Sequence, residues 1–182
     1  MVVFRKLLAA ELAEVRGHLL RLDLKDRYAR FAGITSEEVI DRYCRRLAAA
    51  EVIVYGCFVG GVLRAIGELW WVRRNGTVQG ELAFSVEQPY QERGIGTALM
   101  ARALQSARNR RLLAVELVCQ SDNRRMLRLA RHFGCAPQLQ SGEVLMTLSL
   151  PPPTPLSFSV ADTVPAALLF RLPNRFVIVM SA

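Results

Sequence analysis

The pattern of hydrophobic and polar positions changes from helical to alternating spacing near residue 50. Before that point, apolar residues at helical spacing predict two amphipathic helices after a short strand at Val2–Arg5: Leu7–Leu20 and Thr35–Ala49. Thr35 and Glu38 have the spacing of a capping box, which predicts the start of the second helix. The segment between the helices, Asp23–Gly33, is charged and aromatic and is predicted to be a connection.

After residue 50 the chain alternates and is rich in β-branched residues. It predicts three antiparallel strands joined by turns at Gly60-Gly61 and Asn75-Gly76: Val52–Val59, Val62–Val72 and Gln79–Val86. Helical spacing then returns twice, each time followed by an apolar strand. The predicted elements are a helix at Gly94–Asn109, a strand at Leu112–Cys119, a helix at Asn123–Phe133 and a strand at Glu143–Leu150.

The predicted order is β-α-α-β-β-β-α-β-α-β. The strand–helix–strand crossover from Gln79 to Cys119 must join parallel strands, so the fold class is α/β, with a mixed, mostly antiparallel sheet and helices on both faces. Residues 1–150 are predicted to form this domain. Prolines at 151–153 and 155 begin a stiff spacer, and residues 151–182 are predicted to be a spacer and C-terminal tail.

Composition narrows the class of protein. Hydrophobic residues make up 52% and charged residues 22%, which is typical of a folded chain, and no apolar stretch is long enough to predict a membrane span. We also find no signal peptide and expect a cytoplasmic protein. The four cysteines are widely spaced, which predicts free thiols and no metal site.

A net charge of +8 permits nucleic acid, an acidic surface or an anionic cofactor as a partner. Arginines account for this charge, since Lys6 and Lys25 are the sole lysines in the sequence. They are scattered along the chain and are not interleaved with aromatic residues, so we expect solvated helix faces and no nucleic-acid binding.

The segment Gln91–Gly96 predicts an anion site. A strand ends at Val86, a short loop carries two glycines, and a helix begins at once, which presents unpaired backbone N–H groups to a phosphate. Gln91 and Arg93 could orient the loop or contact the anion. Leu99 stands where a dinucleotide-binding fingerprint has its third glycine, and there is no Gly-Lys-Ser/Thr, so those two phosphate motifs are excluded.

Here the sequence resembles the GNAT superfamily of N-acetyltransferases. Gln91, Gly94 and Gly96 match the family signature Gln/Arg-x-x-Gly-x-Gly/Ala, and Val86 stands at the usual distance upstream. A second block also matches, with the strand 112–119 followed by Asn123, Met126, Leu127 and Gly134. The resemblance covers about residues 2–150. It implies transfer of an acetyl group from acetyl-CoA to a primary amine, and it makes a homodimer one form of assembly to consider.

A narrower resemblance links the chain to bacterial protein-lysine acetyltransferases that act on acyl-CoA synthetases. The segments Asp26–Phe31 and Gly80–Val86 carry it. The acceptor is left open between a protein lysine and a small-molecule amine, because a fold does not fix a substrate. A third alternative, from another class, is a non-catalytic acyl-CoA-binding module whose tail contacts a protein partner.

The resemblance also assigns residues. It implies that the backbone of Phe84, Ser85 and Val86 pairs with the pantetheine arm, and that Asn123 contacts the arm or the following strand. The pyrophosphate would be held by the loop and the first turn of the helix: Gln91, Glu92, Arg93, Gly94, Ile95, Gly96, Thr97 and Ala98. Glu81 is the candidate general base, with Glu68 in reserve. Ala130 stands where many relatives have a tyrosine that acts as general acid toward the leaving thiolate.

Overall fold

The computed structural model describes residues 1–154 apart from Asn75 and Ser141. The spacer and tail predicted at residues 151–182 therefore lie outside the described residues from residue 155 onward. The described strands are β1 (Val2–Lys6), β2 (Val52–Val59), β3 (Val62–Arg74), β4 (Thr77–Val86), β5 (Ala114–Gln120), β6 (Ala136–Gln140) and β7 (Glu143–Ser149). The helices are α1 (Leu12–Arg21), α2 (Leu24–Phe31), α3 (Glu37–Ala49), α4 (Ile95–Asn109) and α5 (Arg124–His132).

The strands form one seven-stranded sheet in the order β1-β2-β3-β4-β5-β7-β6. The β4–β5 pair is parallel and the other described pairs are antiparallel, which confirms the predicted mixed, mostly antiparallel sheet. Within the described part of the chain, no helix is long and apolar enough to cross a membrane.

Helices cover both faces of the sheet, as predicted. On one face, α4 and the end of α5 pack against strand residues in a core that includes Leu69, Phe84 and Leu99. On the other face, α1 and α3 pack over Ile66 and Trp70. Because both faces are buried, polar side chains that point into either layer need partners within the protein.

The structure contains two elements that the sequence did not predict. The segment 23–33, predicted as a connection, contains α2, whose first turn is capped by Asp23 accepting from the N–H of Asp26 at 2.7 Å. The second is β6, whose five residues are all exposed and which forms the sheet edge as a hairpin with β7. The exposed β6 has no apolar face that periodicity could detect. In contrast, α2 carries Leu24, Tyr28 and Phe31 at helical spacing, a signal that the prediction of a connection did not take into account.

Two helix starts were also placed wrongly. The first helix begins at Leu12 and not at Leu7, because the N–H of Leu7 donates to the carbonyl of Val54 and extends the contact with β2. The third helix has Ser36 as its N-cap, so the capping box predicted at Thr35 is wrong. The hydroxyl of Thr35 instead donates to the carbonyl of Gly33 at 3.1 Å.

The feature that positions the site is the separation of β4 from β5. These strands pair at Gly80 with Val115 and at Glu81 with Glu116, and no later residue of β4 pairs with β5 in the described sheet. A Cβ on Gly80 would lie 2.9 Å from Val115 Cγ1, so glycine permits the close approach that joins the strands there. Beyond Glu81, the edge of β4 faces a gap.

Candidate active site

A cleft of about 860 Å³ follows the gap between β4 and β5. It extends from the glycine loop, which we define as Gln91–Gly96, to the side chains of α2 and α3. Much of the predicted site lines it: Glu81, Phe84, Ser85, Val86, Gln91, Glu92, Gly94, Gly96, Thr97 and Asn123. The structure therefore brings the candidate base and most of the candidate cofactor contacts into one continuous cleft.

The glycine loop presents free backbone donors. Gly94 is the N-cap of α4 with φ of 76°, and Glu92 is also in the left-handed region with φ of 59°. None of the backbone N–H groups from Glu92 to Thr97 donates to another group of the described residues. The N–H of Ala98 closes the first turn by donating to Gly94 O at 3.0 Å, so the donors open to an anion are those of residues 92–97.

Three predicted cofactor residues do not line the cleft. The side chain of Ile95 is buried in the core beneath α4, where its packing anchors the loop, and the side chain of Ala98 is also buried. Arg93 is exposed and its guanidinium lies 5.8 Å from the ring centre of Tyr90. Asn123 lines the cleft, but its side chain also caps α5 by accepting from the N–H of Met126 at 3.1 Å.

A polar bridge ties the glycine loop to two other elements. The amide of Gln91 donates to Val86 O at 2.9 Å and to a carboxylate oxygen of Asp26 on α2 at 2.5 Å. Arg125, at the start of α5, donates to the other Asp26 oxygen at 3.2 Å and to the Gln91 side-chain oxygen. All three side chains line the cleft. Sequence reasoning missed this bridge because its members are far apart along the chain.

Glu81 lies where β4 and β5 separate. It is half-buried, lines the cleft and stands in register with Trp70 of β3, so both side chains are on the sheet face covered by α1 and α3. Tyr43 and Arg46 of α3 line the same end of the cleft. The Glu81 carboxylate therefore lies in the cleft near the aromatic side chains of Tyr43 and Trp70.

Glu68, the reserve base, is fully buried and does not line the cleft. Its Oε2 accepts from Arg30 Nη2 at 2.8 Å, from Trp70 Nε1 at 2.8 Å and from the Tyr43 hydroxyl. Burial alone would lower the pKa of Arg30, but the charge of Glu68 and the hydroxyl of Tyr43 more than offset this and raise it. Burial raises the pKa of Tyr43. Glu68 is thus the anchor of residues that line the cleft.

Solved structures share this fold at low sequence identity. The GNAT domain of S. lividans PAT superposes with a TM-score of 0.69 at 18% identity, covering 81% of this chain and 89% of that chain. PaiA N-acetyltransferase from Thermoplasma acidophilum, in complex with coenzyme A, gives 0.62 at 20% identity over 82% and 99%. The yncA structure from Salmonella typhimurium with its cofactor acetyl-CoA gives 0.64 at 17% identity over 85% and 96%.

No curated protein matches the chain in sequence. A family model does: the one described as the acetyltransferase (GNAT) family matches residues 19–135, which run from α1 through the cleft-forming elements to the end of α5. This match identifies the class of protein as an acyltransferase. The chain belongs to the GNAT acetyltransferase family.

Proposed function

We propose that the protein transfers the acetyl group of acetyl-CoA to a primary amine. The observation that carries this proposal is the unpaired edge of β4 beyond Glu81, which leads directly to the free amides of the glycine loop. An extended strand edge suits the amide-bearing pantetheine arm, and a helix start with free N–H groups suits a pyrophosphate. The coenzyme A and acetyl-CoA bound by the two neighbours of the same fold support this assignment.

In this proposal the backbone of Phe84, Ser85 and Val86 pairs with the arm and polarises the thioester carbonyl. The N–H groups of residues 92–97 hold the pyrophosphate, and the Gln91 bridge to Asp26 and Arg125 keeps the loop in place. The β4 backbone that faces the thioester carbonyl is aligned before substrate arrives, which lowers the cost of organising the charge that develops on the carbonyl oxygen in the transition state.

Glu81 is the proposed general base. An ammonium has no lone pair, so the acceptor must lose a proton before its nitrogen attacks the carbonyl carbon. Attack forms the C–N bond, and the C–S bond breaks as the thiolate leaves. Ala130, on α5, is fully buried and carries no acid. Water can protonate the leaving group, because a free thiol has a pKa of about 8.5 and its thiolate leaves readily.

The acceptor we propose first is a protein lysine, with a small-molecule amine as the second candidate. The Asp26–Phe31 segment that resembles protein-lysine acetyltransferases forms α2, and Asp26, Ala29, Arg30 and Phe31 line the cleft. The described cysteines are free thiols, which fits the proposed cytoplasmic location.

Two measurements test the function. Titration calorimetry with acetyl-CoA should show binding by the wild type and none by Gly96→Trp, whose side chain fills the phosphate position. Turnover with a lysine peptide and with a set of small amines should fall by about 10²- to 10⁴-fold in Glu81→Gln, the range expected for loss of a general base. Glu143→Gln removes an exposed carboxylate that also lines the cleft and should keep wild-type turnover.

Each outcome has a distinct meaning. If Glu81→Gln retains full turnover, Glu81 is not the base, although the cofactor site stands. If the wild type does not bind acetyl-CoA but binds another acyl-CoA, the protein is better described as a non-catalytic acyl-CoA-binding module. If it binds no acyl-CoA, the cofactor proposal fails.

A further inference from the structure

A hydroxyl–imidazole–carboxylate chain lies at the end of β4. His18, on α1, is fully buried, and its Nε2 is 2.9 Å from Ser85 Oγ while its Nδ1 is 3.2 Å from a carboxylate oxygen of Glu87. The proposed acetyl transfer to an amine uses the backbone of Ser85 and leaves this arrangement of side chains without a role.

The protons of this chain can be placed from its partners. The Glu87 carboxylate also accepts from Arg21 Nε and from Arg64 Nη1, both at 2.9 Å. Burial by itself would raise the pKa of Glu87, but the hydrogen bonds from His18, Arg64 and Arg21 outweigh it and lower the pKa. The carboxylate is therefore ionised and can only accept, so Nδ1 of His18 carries a proton.

The other ring nitrogen of His18 must then be the acceptor. Burial lowers the pKa of His18, and this effect outweighs the raising effect of Glu87. The imidazole is therefore neutral at pH 7. A neutral ring protonated on Nδ1 has a free lone pair on Nε2, and the Ser85 hydroxyl donates to it. A serine whose proton points at an imidazole that a carboxylate orients is the arrangement of an activated nucleophile.

Ser85 is also in the right place to meet a thioester. It is 8% exposed, lines the cleft, and belongs to the part of β4 that has separated from β5. Strand alternation puts its side chain on the same sheet face as Glu81. In the function proposed above, the acetylated end of the pantetheine arm lies along this edge, so the hydroxyl lies beside the thioester carbonyl.

We propose that Ser85 is a nucleophile that takes the acetyl group from acetyl-CoA. Oγ attacks the carbonyl carbon, its proton passes to Nε2 of His18, the C–S bond breaks, and the proton then goes to the sulfur, giving coenzyme A and an acetyl ester on Ser85. Water attacks that ester with His18 again taking one proton, which returns to Oγ as acetic acid leaves and then ionises to acetate by releasing its proton to solvent. The sum is hydrolysis of acetyl-CoA when no amine is present.

The charges around His18 and Glu87 affect the rate expected for acetylation of Ser85. Arg21 and Arg64 already neutralise Glu87, and the positive charge of Arg21 opposes protonation of the ring. The imidazolium formed during attack therefore gains less from Glu87 than it would from an isolated carboxylate. We expect acetylation of Ser85 to be slower than transfer to a good amine acceptor.

The first test uses acetyl-CoA labelled in its acetyl group, without amine, followed by acid quenching and peptide mapping. The wild type should acquire one acetyl group on Ser85, Ser85→Ala should acquire none there, and His18→Gln should acquire it at least tenfold more slowly. Ser106→Ala removes another buried hydroxyl, one that contacts Tyr55, and should behave as the wild type. Labelling of Ser85 at the wild-type rate in His18→Gln would overturn the role of His18.

A second test does not need the cofactor. A small alkyl fluorophosphonate should phosphonylate Ser85 in the wild type, slowly in His18→Gln, and less when coenzyme A is present. This inference rests on the proposed function for its acetyl donor, and the two can fail separately. Acetyl-CoA binding by calorimetry with neither acetyl nor phosphonyl on Ser85 overturns the nucleophile alone. Phosphonylation that depends on His18, without acetyl-CoA binding, supports the nucleophile and overturns the proposed donor.

Discussion

Replacing glycine by alanine in the glycine loop should have opposite effects on the free energy of unfolding at Gly94 and at Gly96. Gly94 is the N-cap of α4 at φ of 76° and ψ of 0°, and a Cβ there would meet nothing within 4 Å. Gly96 is the second residue of α4, and the nearest neighbour of its Cβ would be Leu129 Cδ2 at 3.5 Å, an ordinary contact. Neither substitution creates a clash, so backbone conformation decides both results.

The two magnitudes follow from that difference. In Gly94→Ala, a left-handed alanine costs about 1–2 kcal/mol, and the stiffer unfolded chain returns about 0.4–1 kcal/mol, so a net loss of roughly 1 kcal/mol is expected. In Gly96→Ala the residue is already helical, and the free energy of unfolding should rise by about 0.5–1 kcal/mol. The variants should therefore differ from each other by roughly 2 kcal/mol.

Equilibrium unfolding in urea, followed by far-UV circular dichroism, measures the difference. Ala101→Gly in the middle of α4 calibrates the helix effect in the same element and should lower stability by about 1 kcal/mol. If Gly94→Ala and Gly96→Ala shift the midpoint in the same direction, the left-handed N-cap is wrong, and with it the orientation of the free amides. Gly96→Ala should also retain acetyl-CoA binding, since the added methyl group leaves the helix-start N–H groups unaltered.

Two further predictions concern the buried polar residues. Glu68→Ala should lower the free energy of unfolding by about 3–5 kcal/mol, because it leaves the buried Arg30 without its partner, and Glu68→Gln, which keeps an acceptor for Tyr43, should cost less. For His18, whose pKa burial lowers from 6.5, the unfolded chain binds the proton more readily than the folded one. Stability should therefore fall as the pH drops below about 6.5, by up to about 1.4 kcal/mol per pH unit, in a series of urea titrations. His18→Gln should reduce the dependence of stability on pH below 6.5, whereas His132→Gln, at an exposed helix end, should leave it unchanged. An unchanged pH dependence in His18→Gln would refute the lowered pKa of His18.

The parts of the fold that the sequence predicted are those with a strong local pattern. The three-stranded meander and the strand–loop–helix around Gln91–Gly96 combine clear periodicity with glycines at turns. In contrast, α2 has no buried residue and depends on a cap from Asp23, and β6 contains Pro137 and five exposed residues. The local pattern of β6 does not reveal it, because pairing with β7 stabilises this strand. The local signals of α2, a cap at Asp23 and apolar residues at 24, 28 and 31, are present but span only two turns.

The candidate site shows the same division. The glycine loop could be found from residue spacing, because the chemistry lies within six consecutive residues. The contacts that hold it could not, since Gln91 and Asp26 are 65 residues apart and Arg125 and Asp26 are 99 apart. Sequence alone leaves Glu68 as a second candidate base, because glutamates on neighbouring strands look alike in sequence. Its three hydrogen-bond donors show that it is an anchor.

The distribution of buried polar groups argues that one face of the sheet is built for more than stability. In the core beneath α4 that surrounds Leu99, the Tyr55–Ser106 hydroxyl pair is a buried polar contact between neutral groups. The ionisable side chains His18, Glu68 and Glu87, with the Ser85 hydroxyl, are instead buried on the side covered by α1 and α3. Buried ion pairs and polar chains add little net stability compared with apolar packing of the same volume. Their concentration beside the cleft, on the face that carries Glu81, is therefore better explained by what they position. One group holds Arg30, Tyr43 and Trp70 at the acceptor end, and the other holds a serine hydroxyl where the strands have separated.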